Sequence, residues 1–390
     1  FDHRYYGTAM QMPMVFMEDL ANFTLTTSQI FYMRHLITFL MCFTGYICFY
    51  FALKKIFGDR LCALMGVAMI TLYPRFYGSQ FTDLKNLIFL SLNMMVLLAL
   101  VYAVEKENIL TIFIFTGISA LATNQRIMAV VFPIVLLGYW LVRDVTDIIK
   151  NKTEKKKLML IGKYPFVISA YFLIWYMISP FAWLEGPLEA FINTFKNFSK
   201  YDWNGTMVFM GRIITCEERP WYYLPVWFGL TVPIIYLILF LAGHVVFICA
   251  LRREGHTWDA LLGRYKWAAC CILLFWGIIG AVIISDSRIY VYFAFMPFTV
   301  IMVNALKFFM ERFPKKIIML SFVLYMAVVS GWNIRNHPYQ GVYFNPVGRQ
   351  FATLFDREFT AGKVLVDWIM DNTEGQITMC GETDNRLLLS

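Results

Sequence analysis

The chain has 390 residues, 59% of them hydrophobic, 18% aromatic and only 15% charged. That balance excludes an ordinary soluble domain of this size and is the balance of a polytopic helical membrane protein. The net charge of +8 raises the question of a nucleic-acid partner, but the basic residues fall in alternate loops between apolar runs, a signal of membrane topology and not of nucleic-acid binding.

In chain order, apolar runs long enough to span a bilayer occupy residues 30–53, 61–78, 86–104, 127–142 and 158–180, then 223–251, 267–285, 290–309 and 316–333. A weaker run at 109–122 is shorter than the roughly 20 residues a span needs, yet the alternation of loop charge requires it. The expected fold is therefore an all-α polytopic membrane protein of about ten helices, occupying residues 1–333. A small extracytoplasmic α/β segment, residues 334–390, follows it and is expected to be incomplete; 362–370 reads as an amphipathic helix and 376–380 as a strand. No methionine precedes Phe1, which leaves room for processing or for further helices ahead of it.

Lysine and arginine set the orientation. Lys54, Lys55 and Arg60, then Lys106, then Arg143 to Lys157, Arg252 to Lys266, and Arg312 to Lys316 mark cytoplasmic loops. Phe1, the C-terminus and the intervening loops are then extracytoplasmic. Five arginines on that outer side run against the usual bias: Arg34, Arg75, Arg126, Arg288 and Arg335. Snorkelling at the interface explains one or two. Five on one rim suggest an anionic ligand, and the planar arginine fork suits phosphate.

The outer stretch YPRFYGSQFTDLKN, residues 73–86, holds Arg75, Asp83 and Lys85 between two nearly uncharged runs. A solvated turn is the simpler reading of it. The segment 181–222 is too long for a plain connector. It carries an amphipathic stretch at 188–198 and the aromatics Trp183, Tyr201, Trp203, Trp221 and Tyr222. Those rings read as an interfacial belt or, as a group, as a lid or lipid-lined groove. Asp2 in FDHRYYG and Asp83 are the acids placed for chemistry. A carboxylate in a partly dry, arginine-rich site stays ionised and accepts a proton from an incoming hydroxyl. The alternative for each is a surface acid satisfied by a neighbouring arginine. Glu185, Glu189, Glu217, Glu218 and Asp286 read as solvated loop charges.

No zinc-ligand spacing, phosphate-cradling glycine loop or hydrolase elbow occurs, and the histidines are scattered. Of the cysteines, only Cys216 and Cys380 fall in polar segments; a bridge between them stays open, though their spacing gives it no support. Asn22, Asn197 and Asn204 open glycosylation triplets on the outer face.

Four stretches together resemble the C-type glycosyltransferase superfamily (GT-C), and most closely its family-39-like branch of protein O-mannosyltransferases and aminoarabinose transferases. FDHRYYG (1–7) looks like the acidic first outer loop, and YPRFYGSQFTDLKN (73–86) like the second-loop turn. MVFMGRIITCEERPWYYLPVWFGLTVP (207–233) and NHPYQGVYFNP (336–346) are similar to the two more specific motifs. Asn86 stands where the family pattern carries its second acid, with Asp83 three residues earlier. The resemblance implies a membrane enzyme that takes a sugar from a polyprenyl-phosphate donor and passes it to a glycan, lipid or protein acceptor. Asp2 would be the general base. Arg75, Arg126 and Arg288 would contact the lipid phosphate, and Lys85, His337 and Tyr339 join them as candidate substrate contacts. No cofactor is implied with certainty, and a divalent metal stays open because no DxD pair is present. Membrane lipids are the expected surroundings, with the protein in a plasma or inner membrane and its site outside. The alternatives from other classes are a polytopic transporter or flippase, which would place charges near the bilayer midplane, and a polymerase or ligase of lipid-linked glycans.

Overall fold

The structure is a computed structural model that describes residues 5, 7–20, 26–150, 156–199, 206–215, 217–255, 258–284, 291–355 and 371–372. Its first half comprises α1 (Met12–Leu20), α2 (Thr27–Phe57), α3 (Arg60–Thr71), α4 (Pro74–Ser79), α5 (Asn86–Lys106), α6 (Ile109–Gln125), α7 (Val131–Ile149) and α8 (Lys156–Met177). Then come α9 (Ala182–Glu185), α10 (Pro187–Ser199), β1 (Thr206–Phe209), β2 (Arg212–Thr215), α11 (Tyr223–Thr231), α12 (Ile234–Arg253), α13 (Trp258–Leu262), α14 (Lys266–Ile284), α15 (Phe295–Arg312) and α16 (Lys315–Arg335).

Every expected apolar run contains a helix. Among the described residues seven helical stretches are long and apolar enough to cross a membrane, those of α2, α5, α7, α12, α14, α15 and α16, against an expectation of about ten. The run 109–122 yields α6, 17 residues, and at 61–78 the difference has a local cause. The run 61–78 breaks at Tyr73 (ψ 121°), because Pro74 bars the residue before it from the helical region. What remains is α3, 12 residues, or roughly 18 Å at 1.5 Å per residue. Pro233 likewise divides the run 223–251, leaving Val232 extended (ψ 137°) between α11 and α12, with α12 still long enough to span.

Two helices form the centre. In α5 83% of the membrane-length window is buried and in α15 78%, whereas the other five spans bury 17–39%. α2 packs on α5 and α12 on α15, and the outer helices turn side chains such as Leu40, Phe43 and Leu241 outward. The α12–α15 approach depends on Gly243: a Cβ there would stand 2.2 Å from the Ile301 carbonyl oxygen, so only a residue without a side chain lets the backbones meet.

Because successive helices reverse direction, the basic turns gather at one end. Lys55 pairs with Glu105 at 2.7 Å, Lys307 donates to the Phe57 carbonyl at 2.8 Å, and Lys150 pairs with Asp259. The buried Asp144 at this end is compensated: Lys163 sits 2.6 Å from it, and Arg143 pairs with both Asp144 and Glu107. The opposite end carries the 73–86 turn and the 181–222 segment.

In that segment α10 matches the amphipathic stretch expected at 188–198. β1 and β2, which were not expected there, form an antiparallel hairpin with Phe209 opposite Arg212. Met210 (φ 52°) and Gly211 (φ 77°) make its two-residue turn, both left-handed as a type I′ turn requires. The helix and strand expected at 362–370 and 376–380 lie outside the described residues. The six described cysteines, Cys42, Cys48, Cys62, Cys249, Cys270 and Cys271, are free thiols, while Cys216 and Cys380 lie outside the described residues.

Candidate functional site

The first turn of α5 needs partners for its free amides, and Asp83 supplies them. Its Oδ1 accepts from the backbone N–H of Lys85 (3.0 Å) and of Asn86 (2.7 Å), and its Oδ2 accepts from Asn86 Nδ2 (2.9 Å). A carboxylate there also lies at the positive end of the helix dipole. The remaining side-chain atom of Asn86, Oδ1, accepts from an Nη of Arg126 at 2.5 Å. Arg126 occupies an extended break (φ −151°, ψ 128°) between α6 and the short 3-10 turn Ile127–Val130. Next to it the buried Gln125 donates to the Leu84 carbonyl at 3.3 Å, pinning the α5 entry to the end of α6. The result is a carboxylate–amide–guanidinium relay, Asp83–Asn86–Arg126. Asp83, Asn86 and Arg126 are half-buried and Lys85 is exposed.

The N-terminal stretch is fixed beside this relay. Ala9 N–H donates to Asn124 Oδ1 at 3.0 Å, while Asn124 Nδ2 donates to Ser179 Oγ (2.8 Å) and the Ile178 carbonyl (3.1 Å). Gly7 lies so close that a Cβ would fall 1.6 Å from the Asn124 carbonyl oxygen. Tyr5 donates its phenol to Glu185 (2.9 Å), meets Phe181 edge-on, and shares Glu185 with Asn193 Nδ2 (3.1 Å). Glu185, read from sequence as a solvated charge, is thus the anchor between the first stretch and α9–α10. Asp2 and Arg288 lie outside the described residues.

The motif NHPYQGVYFNP has a different task. The breaks after α3 and α11 leave backbone carbonyls without helical partners, and the motif's region satisfies them. Asn333 Nδ2 donates to the Leu72 carbonyl (2.9 Å); Asn345 Nδ2 donates to the Gly229 (2.6 Å) and Val232 (2.8 Å) carbonyls, and its Oδ1 accepts from Gly348 N–H (2.8 Å). Gln340 Nε2 donates to the Asn333 carbonyl at 2.8 Å and lies 3.0 Å from His337 Nδ1. Arg75 closes the clasp. Its Nε and an Nη donate to the Tyr343 carbonyl at 3.3 and 3.2 Å, with the guanidinium over the Trp227 and Phe344 rings. Burial raises the phenol pKa of Tyr343, which favours its neutral form. His337 is exposed, and Tyr339 is half-buried in the turn.

The arginines expected on the outer side therefore separate. Arg34 pairs with Glu18 at 2.7 Å, Arg75 belongs to the clasp, Arg335 is exposed at the end of α16, and Arg126 joins Asp83 and Asn86. Asn124 and Gln125 were missed by the sequence reading, although the polar run Thr123-Asn-Gln-Arg126 at the end of an apolar helix was a usable signal. Arg219, also missed, donates to the Val282 carbonyl at 3.0 Å. Among the described residues no cluster of three or more His, Cys, Asp or Glu side chains could hold a metal ion. No protein-family model and no curated protein matches this chain.

Proposed function

We propose that this multi-pass helical membrane protein transfers a sugar from a polyprenyl-phosphate donor to an extracytoplasmic acceptor, as its resemblance to the C-type glycosyltransferases implies. The observation that carries the reading is the seating of Arg126 on Asn86, itself held by Asp83, next to the anchored Tyr5–Ala9 region. Direct displacement at an anomeric carbon asks for a base on the acceptor and positive charge at the leaving phosphate.

In this scheme Asp2, three residues ahead of the anchored Tyr5 in the chain, takes the proton of the acceptor hydroxyl. The acceptor oxygen bonds to the anomeric carbon as the bond from that carbon to the phosphate oxygen breaks. The leaving polyprenyl phosphate keeps the electron pair, and Arg126 meets its charge, with Lys85 and Arg288 as further cations. Asp83 acts through Asn86 and is a positioning residue. The donor's chain would lie among the lipid-facing helices and the acceptor would enter from outside.

The test uses the purified full chain in detergent with a polyprenyl-phosphate sugar. Asp2→Asn and Arg126→Ala are each expected to lower transfer about 10²–10³-fold with an unchanged melting temperature. Wild-type turnover in both folded variants would remove the assignment.

A further inference from the structure

At the basic end of the bundle, away from the candidate site, a groove of about 690 Å³ runs between the last turns of α7 and the α12–α13 turn. That is within the roughly 300–1,000 Å³ of small-molecule sites. Leu141, Val142, Val145 and Ile149 of α7 form one wall and Trp258 of α13 the other. The α7 residues fall on one helical face, and all five side chains are exposed.

The groove is held open at two points. Tyr139 donates its phenol to the Leu262 carbonyl at 3.1 Å, tying α13 to α7, and Lys150 pairs with Asp259 at the groove's polar end. Gly255 completes the rim, and directly before it the last turn of α12 exposes Arg252 and Arg253. The rim's acids are matched already: Glu254 pairs with Arg264 at 3.1 Å and Asp259 with Lys150. The surplus charge beside the groove is therefore that of Arg252 and Arg253, just ahead of Gly255 in the chain.

We infer that this groove holds an anionic phospholipid from the leaflet facing the basic end. An acyl chain lies along Leu141, Val145 and Ile149, and the phosphate head meets Arg252 and Arg253. Two observations select a lipid over a soluble partner. The apolar wall continues a membrane-length helix past its basic end, where exposed apolar side chains meet the edge of the bilayer. The surplus charge sits only at the helix ends, where a headgroup lies.

The probes are phosphatidylglycerol and phosphatidylcholine of identical chains, titrated into the full chain in neutral detergent. Melting temperature and lipid retained in native mass spectrometry are followed. Phosphatidylglycerol is expected to raise the melting temperature by several degrees and to be retained, and phosphatidylcholine to do neither. Val145→Trp fills the groove and leaves every charge in place, while the double change Arg252→Glu, Arg253→Glu reverses the rim. Both are expected to abolish the shift while melting like the wild type without lipid. Leu141→Trp is the second filling variant should Val145→Trp fold poorly. An undiminished phosphatidylglycerol shift in the filled variants would show surface charge attraction alone and overturn the site. So would equal stabilisation by phosphatidylcholine, or a lipid-free dimer that Val145→Trp dissolves.

Discussion

Two polar regions at the same end of the bundle use their side chains in opposite ways. In the clasp, the buried Asn333 and Asn345 point their amides at the carbonyls that two broken helices leave open, and the buried Gln340 holds the Asn333 carbonyl. In the relay, Asp83, Asn86 and Arg126 are half-buried and hold one another at a rim. The clasp carries the more distinctive motif, yet its chemistry is the satisfaction of backbone groups that would each cost about 1–3 kcal/mol if left unpaired. The relay has the plainer sequence and presents a guanidinium oriented by a neutral amide. A motif's distinctiveness therefore marks a demanding structure as readily as a reaction.

The comparison can be broken at several points. Arg126→Ala is expected to lower transfer about 10²–10³-fold and to leave the melting temperature near that of the wild type, measured on the same preparation. In the clasp, Asn345→Ala strips partners from the Gly229 and Val232 carbonyls and the Gly348 amide. It is expected to cost about 2–4 kcal/mol, read as a lower denaturation midpoint, with normal transfer per folded molecule. Gly7→Ala forces the N-terminal stretch away from Asn124. Misplacing reacting groups by about an ångström can cost up to 10²-fold, so a tenfold to hundredfold slower transfer is expected, with a small change in stability. Asp83→Asn sharpens the relay's own assignment. An asparagine still caps the first turn of α5 but loses the charge at its dipole, about 0.3–1 kcal/mol, and Arg126 loosens. Transfer is expected to fall about tenfold or less; a loss of 10²-fold or more would mean that Asp83 acts on the substrate itself.

Much of the architecture was legible in the sequence, because apolar runs and the placement of lysine and arginine are local signals. The positions of α2, α5, α14 and α16 follow from hydropathy alone, and α10 from its amphipathic spacing. The breaks at Tyr73 and Val232 were also written locally, in Pro74 and Pro233. Hydropathy nevertheless ran through them, since the flanking residues are as apolar as a span and the clasp that tolerates the breaks comes from residues 333–348. The hairpin was hidden by Met210, a residue seldom found in the left-handed turn that asparagine or aspartate usually signals. Arg75 illustrates the hardest case. Its partner, the Tyr343 carbonyl, is 268 positions away, so an arginine expected at an outer helix end as a phosphate contact gave no local sign that it holds two motifs together. Arg126 was readable as a rim cation, but its orientation by Asn86, at the position where the resembled family carries an acid, emerged only from the packing of α6 against the start of α5.

The most direct measurement sets Arg126→Ala beside Arg75→Ala, with transfer from a polyprenyl-phosphate sugar and melting temperature determined for each. The expected result is a crossed pattern: Arg126→Ala folds like the wild type and loses transfer, whereas Arg75→Ala melts lower and its folded fraction still transfers. Wild-type transfer by Arg126→Ala, or abolished transfer by a fully stable Arg75→Ala, would contradict the division between relay and clasp.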